Sequence, residues 1–553
     1  MTDARAEDYD VLIIGAGING AGLFRDLCEQ GLRCLIIDKG DFGSGTSAAP
    51  SRLIHGGLKY LETGELRLVA ESTYERNLLL RNAAHLVKPL PTMIPIYSWT
   101  KGIGAAIRTL FGSTTAPRSR GALLVKIGLR LYDFYGARAR VMPRHRMVGR
   151  ARAIDEVPAL TPQIVAVGTY YDAVVTAPER LMLELVQDGL RAMPGSAAMN
   201  WTRISGRAGG TIEITGPEET VTRVSPRLVV NAAGPWIDNV NRHLGLGTEL
   251  IGGTKGSHIL LDHPELVRQL DGRMIYFEAD DGRILLVFPY HGRALVGSTD
   301  IPADDPDHVT CDEGEIDYFM AGLRALLPGL SFDDSQIVYR YSGIRPLPNS
   351  NGTAPGLISR DHAAPVAEPE GDRPFAVISL VGGKWTTFRA FGAEVADMVL
   401  DRLGVARRIS TAELSIGGGH NMPVTEADRI AWIEQVAQET GAAPDRVRML
   451  LDRYGTVARM VLAQEGSSPV PLPDLPDHSE VEIDWIAQTE QTQHLEDMLL
   501  RRTQLAVTGR LTTPALLKIA ALMARALGWD AARKSAELAD ARETLSARHG
   551  VVL

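Results

Sequence analysis

The first apolar run of the chain, Tyr9 to Ile14, is hydrophobic almost without a break and runs straight into glycines. That is the pattern of a strand buried on both faces. Ala21 to Gln30 follows with helical character, and Leu32 to Asp38 reads as a second buried strand, so the chain opens as a βαβ unit. Two later runs end in a similar way. Arg227 to Asn231 leads into Ala232-Ala233-Gly234-Pro235-Trp236, and Phe375 to Val381 leads into Gly382-Gly383 and a helix from about Thr386 to Leu403. Three glycine-marked strand ends far apart in sequence predict one discontinuous cofactor domain, over 1-75, 150-235 and 341-405.

The intervening stretches, 76-149 and 236-340, carry strand-like runs such as Ile284 to Pro289 and Ala294 to Gly297. They predict a second, mixed-sheet domain for the substrate. Beyond about Arg408 strand signals become sparse. Glu426 to Glu439 follows a Thr425 N-cap and stops at Gly441, and Asp445 to Tyr454 stops at Gly455. Thr513 to Leu527 and Asp530 to Arg548 are strongly helical, so 406-553 is expected to be a helical cap domain. Ser468 to Pro476 is read as a Pro-rich loop inside it.

The turn after the first strand is Gly15-Ala16-Gly17-Ile18-Asn19-Gly20. Such glycines let backbone N–H groups approach a pyrophosphate at a helix N-terminus. Asp38 ends the next strand eighteen residues after Gly20, where an acid hydrogen-bonds a ribose hydroxyl. Strand, glycines, helix, strand and acid in this order mark a dinucleotide site. Lys39, then Gly43-Ser44-Gly45-Thr46-Ser47, offer a further cofactor segment. The later glycine-rich strand ends, at Ala233-Gly234 and Gly382-Gly383, favour a flavin over NAD.

Ser51-Arg52-Leu53-Ile54-His55-Gly56-Gly57-Leu58-Lys59-Tyr60-Leu61-Glu62 resembles the flavin-facing segment of FAD-dependent glycerol-3-phosphate dehydrogenases. Four more segments resemble that family in the same order. They are Asn231 to Trp236, Lys255-Gly256-Ser257-His258, Tyr341-Ser342-Gly343-Ile344-Arg345-Pro346-Leu347, and Gly382 to Arg389. Arg453-Tyr454-Gly455 and Leu499 to Thr503 are similar to its cap domain. The resemblance implies an α/β flavoprotein with a glutathione-reductase-like FAD domain, non-covalent FAD, and hydride transfer from substrate C2 to flavin N5. It implies cofactor contacts from Gly15, Gly17, Asn19, Gly20, Asp38, Lys39, Gly45, Thr46, Ser47, Ser51, Leu53, Ile54, His55, Gly56, Gly57, Ala233, Gly234, Trp236, Gly343, Gly383, Lys384 and Thr386. It also implies a phosphate-binding cluster of Lys59, Tyr60, His258, Arg345 and Lys384. Lys59 stands where most of that family carry Arg, which keeps the charge but loses the bidentate fork.

Oxidation of a secondary alcohol needs a base for the hydroxyl proton and an acceptor for the hydride. His258 and His55 are both candidate bases. Arg345 can grip a phosphate with two parallel hydrogen bonds. Lys384, with the helix that follows it, can stabilise negative charge on a reduced flavin. The same motifs are compatible with O₂ as acceptor, with another polyol phosphate such as erythritol phosphate, or with a flavin-binding scaffold lacking turnover.

Composition narrows the partners. The 553 residues carry a net charge of −9, which excludes a general nucleic-acid binder. Three cysteines, Cys28, Cys34 and Cys311, give no disulfide framework. The acidic N-terminus lacks a secretory pattern, and no long apolar run predicts a transmembrane helix. Yet 98-150 holds eleven basic residues against the single acid Asp133, a local +10 that leaves −19 for the rest. Within it Leu123, Leu124, Ile127, Leu131, Phe134 and Tyr135 fall at helical spacing, with Lys126 and Arg130 on another face. A basic amphipathic insertion over about 98-140, including Trp99, Phe111, Arg118 and Arg120, is the pattern for lying on an anionic membrane. Each basic residue there is worth about 1 kcal/mol. The expected setting is the cytoplasm, at the inner face of the cytoplasmic membrane, and the resemblance to the respiratory dehydrogenases implies ubiquinone or menaquinone as acceptor. A homodimer is left open.

Overall fold

The computed structural model describes residues 6–58, 65–99, 121–137, 141–279, 281–303, 305–349 and 362–553. The apolar opening run is the strand Glu7–Ile14, with Val11, Leu12 and Ile13 wholly buried. It lies between Cys34–Ile37 and Val221–Asn231, both parallel to it. Ala376–Ser379 continues the parallel set beyond Val221–Asn231, and Ala197–Met199 does so beyond Cys34–Ile37. The helices Ile18–Glu29, Pro178–Ala192 and Phe388–Leu403 contribute to one buried cluster against this sheet, around Phe24, Phe388 and Phe391. A short antiparallel meander, Arg203–Ala208 and Thr211–Thr215, extends from Val221–Asn231.

Among the described residues the second sheet has ten strands. Its long central pair is Val87–Ile96 with Ala166–Val175, antiparallel. Met274–Glu278 joins Val87–Ile96 in parallel, and Ile284–Tyr290, Arg293–Gly297, Ile251–Leu261 and Ile337–Pro348 follow by antiparallel pairing. The sheet is therefore mixed. The boundaries read from sequence do not follow the sheets. Ala166–Val175 lies in the stretch 150-235 assigned to the cofactor domain, yet it pairs in the second sheet, as does Leu53–Ile54. Ile337–Pro348 runs across the expected boundary at 340/341. A strand belongs where its hydrogen-bond ladder closes, and that depends on partners far away in sequence.

The C-terminal helices form as their caps dictate. Thr425 makes a capping box with Asp428, and Gly441 ends that helix with φ +74. Ser468 to Pro476 is not simply a loop, because Pro471–Leu472 and Leu475–Ser479 pair as a small hairpin. Of the basic insertion, 100–120 and 138–140 lie outside the described residues, Phe111, Arg118 and Arg120 among them. The helix Ala122–Tyr135 buries Ala122, Val125, Leu129 and Tyr132. Leu123, Ile127, Leu131 and Phe134 face outward, at 50%, 48%, 42% and 72% exposure.

The helical domain is fastened to the cofactor domain by buried charge. Asp41, fully buried, accepts from Arg501 Nε at 2.6 Å, from Arg502 Nη1 at 2.7 Å and Nη2 at 2.9 Å, and from Asn200 Nδ2 at 2.9 Å. Burial works to raise the Asp41 carboxyl, but Arg502 and Arg501 overcome it and hold it well below the usual range. Arg180 reaches Glu490 with both terminal nitrogens, at 2.7 and 2.9 Å. Removing one partner of such a pair strands the other charge, at a cost of about 3–5 kcal/mol. Asp41→Ala and Arg502→Ala are each expected to lower the thermal midpoint sharply. The double variant should lose clearly less than the sum, as a double-mutant cycle of chemical denaturation would measure.

Candidate functional site

Three glycine-marked strand ends meet at one edge of the first sheet. Ile14 pairs with Asn231, and Asn231 with Ser379. Gly15 has φ +103, and a Cβ there would stand 2.6 Å from the Ala232 carbonyl oxygen. Glycine is needed because the two turns touch backbone to backbone. The Ala16 amide donates to Asp38 Oδ2 at 2.7 Å and the Gly40 amide to Asp38 Oδ1 at 3.0 Å. Burial lifts this carboxyl to about 6, against the pull of those two amides. Gly17 supplies no side-chain cap to the helix Ile18–Glu29. Ser47 Oγ accepts from the Ile18 amide at 3.0 Å, and Asn19 Nδ2 donates to Gly382 O at 3.3 Å. Asn19 Oδ1 is buried without a hydrogen bond among the described residues. A glycine-rich helix start, a buried carboxylate beside it and a buried amide oxygen with no hydrogen bond among the described residues together fit the pyrophosphate and ribose of FAD.

The other expected cofactor residues gather around this edge by contact. Thr46 Oγ1 donates to Ile344 O at 2.5 Å, next to Gly343. Trp385 Nε1 donates to Ser47 O at 3.2 Å. Gly45 packs on the Trp236 ring, and Ala233 and Gly234 form the turn that presents that ring. Lys39 Nζ lies 4.2 Å from the centre of the Trp236 ring and 2.7 Å from Asp307, so it is engaged at the surface.

The segment from Ser51 to Gly57 bridges the two sheets. Leu53 and Ile54 pair with Val174 and Ala173. His55 is clamped by Thr386, whose hydroxyl accepts from its amide at 3.1 Å and donates to its carbonyl at 3.2 Å. Gly57 has φ +75. Lys59 and Tyr60, expected to bind phosphate, lie outside the described residues. Sequence reasoning passed over Arg52, which is 1% exposed with φ +58. It donates to the Tyr290 hydroxyl at 2.8 Å and to Glu179 at 3.3 Å, with its guanidinium over the Tyr290 and Tyr341 rings. The available signal was an arginine inside a run of small and apolar residues.

His258 and Arg345 lie on neighbouring antiparallel strands. Opposite pairs His258 with Tyr341, Gly256 with Gly343 and Thr254 with Arg345 put both side chains on one sheet face. His258 Nε2 is 2.9 Å from Ser51 Oγ, and its ring stacks on Tyr341 at 4.9 Å. Its Nδ1 is buried with no hydrogen bond among the described residues. Gly297 stands directly opposite, where any Cβ would strike the imidazole. Burial first, then Arg345 and Arg52, depress the His258 imidazole well below its ordinary value, so it stays neutral. Arg345 is steadied by Asp300 at 2.9 Å, Thr299 O at 3.1 Å and Ser298 Oγ at 3.2 Å. Lys384 follows Gly382 and Gly383, both with positive φ. The structure thus joins Ser51 to His258, His55 to Thr386 and Thr46 to the Gly343 strand.

A family model described as FAD dependent oxidoreductase matches residues 10–398. A second, described as the C-terminal domain of alpha-glycerophosphate oxidase, matches 409–534. The chain is 32% identical to a glycerol-3-phosphate dehydrogenase of Synechocystis over 94% of its length and 93% of that protein. It is 30% identical to glycerol-3-phosphate dehydrogenase 2 of Mycobacterium tuberculosis, over 97% of this chain and 87% of that one. Among solved structures, the FAD complex of glycerol-3-phosphate dehydrogenase from Bacillus halodurans has the same fold. Its TM-score is 0.72 at 20% identity, covering 99% of this chain and 95% of that one. Matched across nearly its whole length in sequence, the chain belongs to the FAD-dependent glycerol-3-phosphate dehydrogenase family.

Proposed function

We propose that this protein oxidises sn-glycerol 3-phosphate to dihydroxyacetone phosphate and passes the electrons to a membrane quinone. The observation that carries this reading is the placement of a neutral, buried His258 and Arg345 on one sheet face. FAD, when bound, supplies the two-electron acceptor for the hydrogen on C2. His258 takes the hydroxyl proton as C2 loses its hydrogen with the bonding electron pair, leaving a carbonyl. Ser51 orients the ring through Nε2. Arg345 binds the phosphate and is itself held still by Asp300. A fixed guanidinium loses less freedom on binding, so more of its attraction reaches the substrate. The outward apolar stripe of Ala122–Tyr135, with exposed Lys126 and Arg130 beside it, supports attachment to an anionic bilayer, where the quinone resides.

In anaerobic mixing with sn-glycerol 3-phosphate, the flavin absorbance of the holoenzyme is expected to bleach. His258→Asn should slow that step by about 10²–10⁴-fold with FAD retained. A folded His258→Asn enzyme bleaching at the normal rate would remove the histidine from the chemistry. Because its folded pKa lies below 6.5, the rate of the native enzyme should persist below pH 6.5 and fall only at lower pH.

FAD binding should weaken as the pH drops through about 6, where Asp38 gains a proton and loses its role as ribose acceptor. Asp38→Asn should remove that dependence, as fluorescence of released flavin would record.

Replacing Ile127, Leu131 and Phe134 with Ser, and Lys126 and Arg130 with Glu, should abolish co-sedimentation with phosphatidylglycerol vesicles. Unchanged sedimentation would dismiss the lipid surface. Stopped-flow reoxidation by a ubiquinone analogue against O₂ decides the acceptor.

A further inference from the structure

The helix Ala122–Tyr135 turns its apolar and basic stripe outward, but its inner face reaches the bridging segment directly. The Tyr132 hydroxyl accepts from the Gly56 amide at 2.8 Å. The same amide donates to Asp172 Oδ1 at 3.1 Å, and the Tyr132 hydroxyl donates to that same carboxylate oxygen. Arg76 closes the cluster, with Nη1 at 2.8 Å from the hydroxyl and 3.0 Å from Asp172. All three residues are buried: Tyr132 is 3% exposed, Arg76 3% and Asp172 1%. Burial keeps the Tyr132 phenol protonated, so it can donate and accept at once. The fit is close on the carbon side too, since a Cβ on Gly56 would collide with the Tyr132 hydroxyl and the Thr73 methyl.

Gly56 lies one residue from His55, whose backbone is clamped by Thr386. The turn His55–Gly57 is therefore held between two elements. One is the strand-end segment of Gly382, Gly383 and Thr386, part of the cofactor edge. The other is a single helix whose far side is an exposed apolar stripe. The Gly56 amide is shared between the Tyr132 hydroxyl and Asp172 Oδ1, so a shift of the helix changes one of its two acceptors directly.

We propose that Tyr132 is a positioning residue that ties the turn at Gly56 to the lipid-facing helix, so that contact of the outer stripe with an anionic bilayer is felt at the flavin. The inference rests on the lipid reading given above. It adds that attachment is an input to the reaction, carried by one hydroxyl.

The test uses the FAD-loaded enzyme with phosphatidylglycerol vesicles. In the wild type, vesicles should change the rate of flavin bleaching by sn-glycerol 3-phosphate by at least about 5-fold. Hydrogen exchange at the Gly56 amide should change with it. Tyr132→Phe keeps the ring against Tyr170 and removes only the hydroxyl. It should sediment with vesicles as the wild type does, hold FAD, and lose that rate response. A Tyr132→Phe enzyme that responds like the wild type overturns the coupling while leaving attachment intact. So does a wild type that sediments with no change in rate or in Gly56 exchange, a measurement that does not depend on the variant folding. A wild type that fails to sediment overturns the lipid reading and this inference together.

Discussion

The constraint on which everything else depends is the common register of three parallel strand ends. Ile14, Asn231 and Ser379 stand side by side although they are more than two hundred residues apart at the first step. The ladder continues past the strands, with the Gly15 amide on Ile37 O at 2.7 Å, the Ala232 amide on Ile14 O at 2.8 Å, and the Leu380 amide on Asn231 O at 2.8 Å. These bonds fix the turns that follow. The Asn231 side chain adds to them by donating to Ile237 O and Asn241 Oδ1, both at 2.8 Å. A slip of one residue would turn each buried strand over and disperse the glycines. The cofactor edge is therefore a consequence of backbone pairing in a dry sheet, where unpaired amides are costly.

The second sheet contributes His258 and Arg345, and the two sheets are brought to bear on one another by the stretch from Thr46 to Gly57. That stretch is short and has little core of its own, so it borrows support from both sides. Ser47 answers to the first helix, Leu53 and Ile54 to the second sheet, and Arg52 to Glu179 and two tyrosines. Much of the buried charge here is compensated. Arg52 has Glu179, Arg180 has Glu490, and Asp41 has two arginines from the helical domain. Asp41 is three residues from Asp38, so the loop that follows this buried acid is also the anchor of the helical domain. Such pairs demand their exact partners more than they add stability. They specify how the domains meet.

The exposed stripe of Ala122–Tyr135 is the opposite case. Among the described residues, Phe134 at 72% and Trp99 at 60% exposure stand out beside basic neighbours in an otherwise acidic chain. A helix apolar on both faces is unusual at a water boundary. Its inner face is explained by packing under Tyr170 and Ile96. Its outer face, at Leu123, Ile127, Leu131 and Phe134, is exposed. Helical spacing identified the apolar positions, but spacing cannot say which of two stripes is buried.

The sequence by itself determined the local elements and the turns. Uninterrupted apolar runs made the parallel strands, Thr425 and Asp530 capped their helices, and glycines marked the places where backbones touch. Five ordered motifs were enough to identify the family, because each is a short stretch whose chemistry is carried by adjacent residues. Tertiary structure alone decided the rest. It put Ala166–Val175 and Ile337–Pro348 in the second sheet, brought Ser51 onto His258, and made Arg52, Asp41 and Tyr132 structural centres. The physical reason is that strand partnership and charge compensation are satisfied by groups distant along the chain. Periodicity reports what a segment needs to bury, whereas only the closed fold reports what it is buried against.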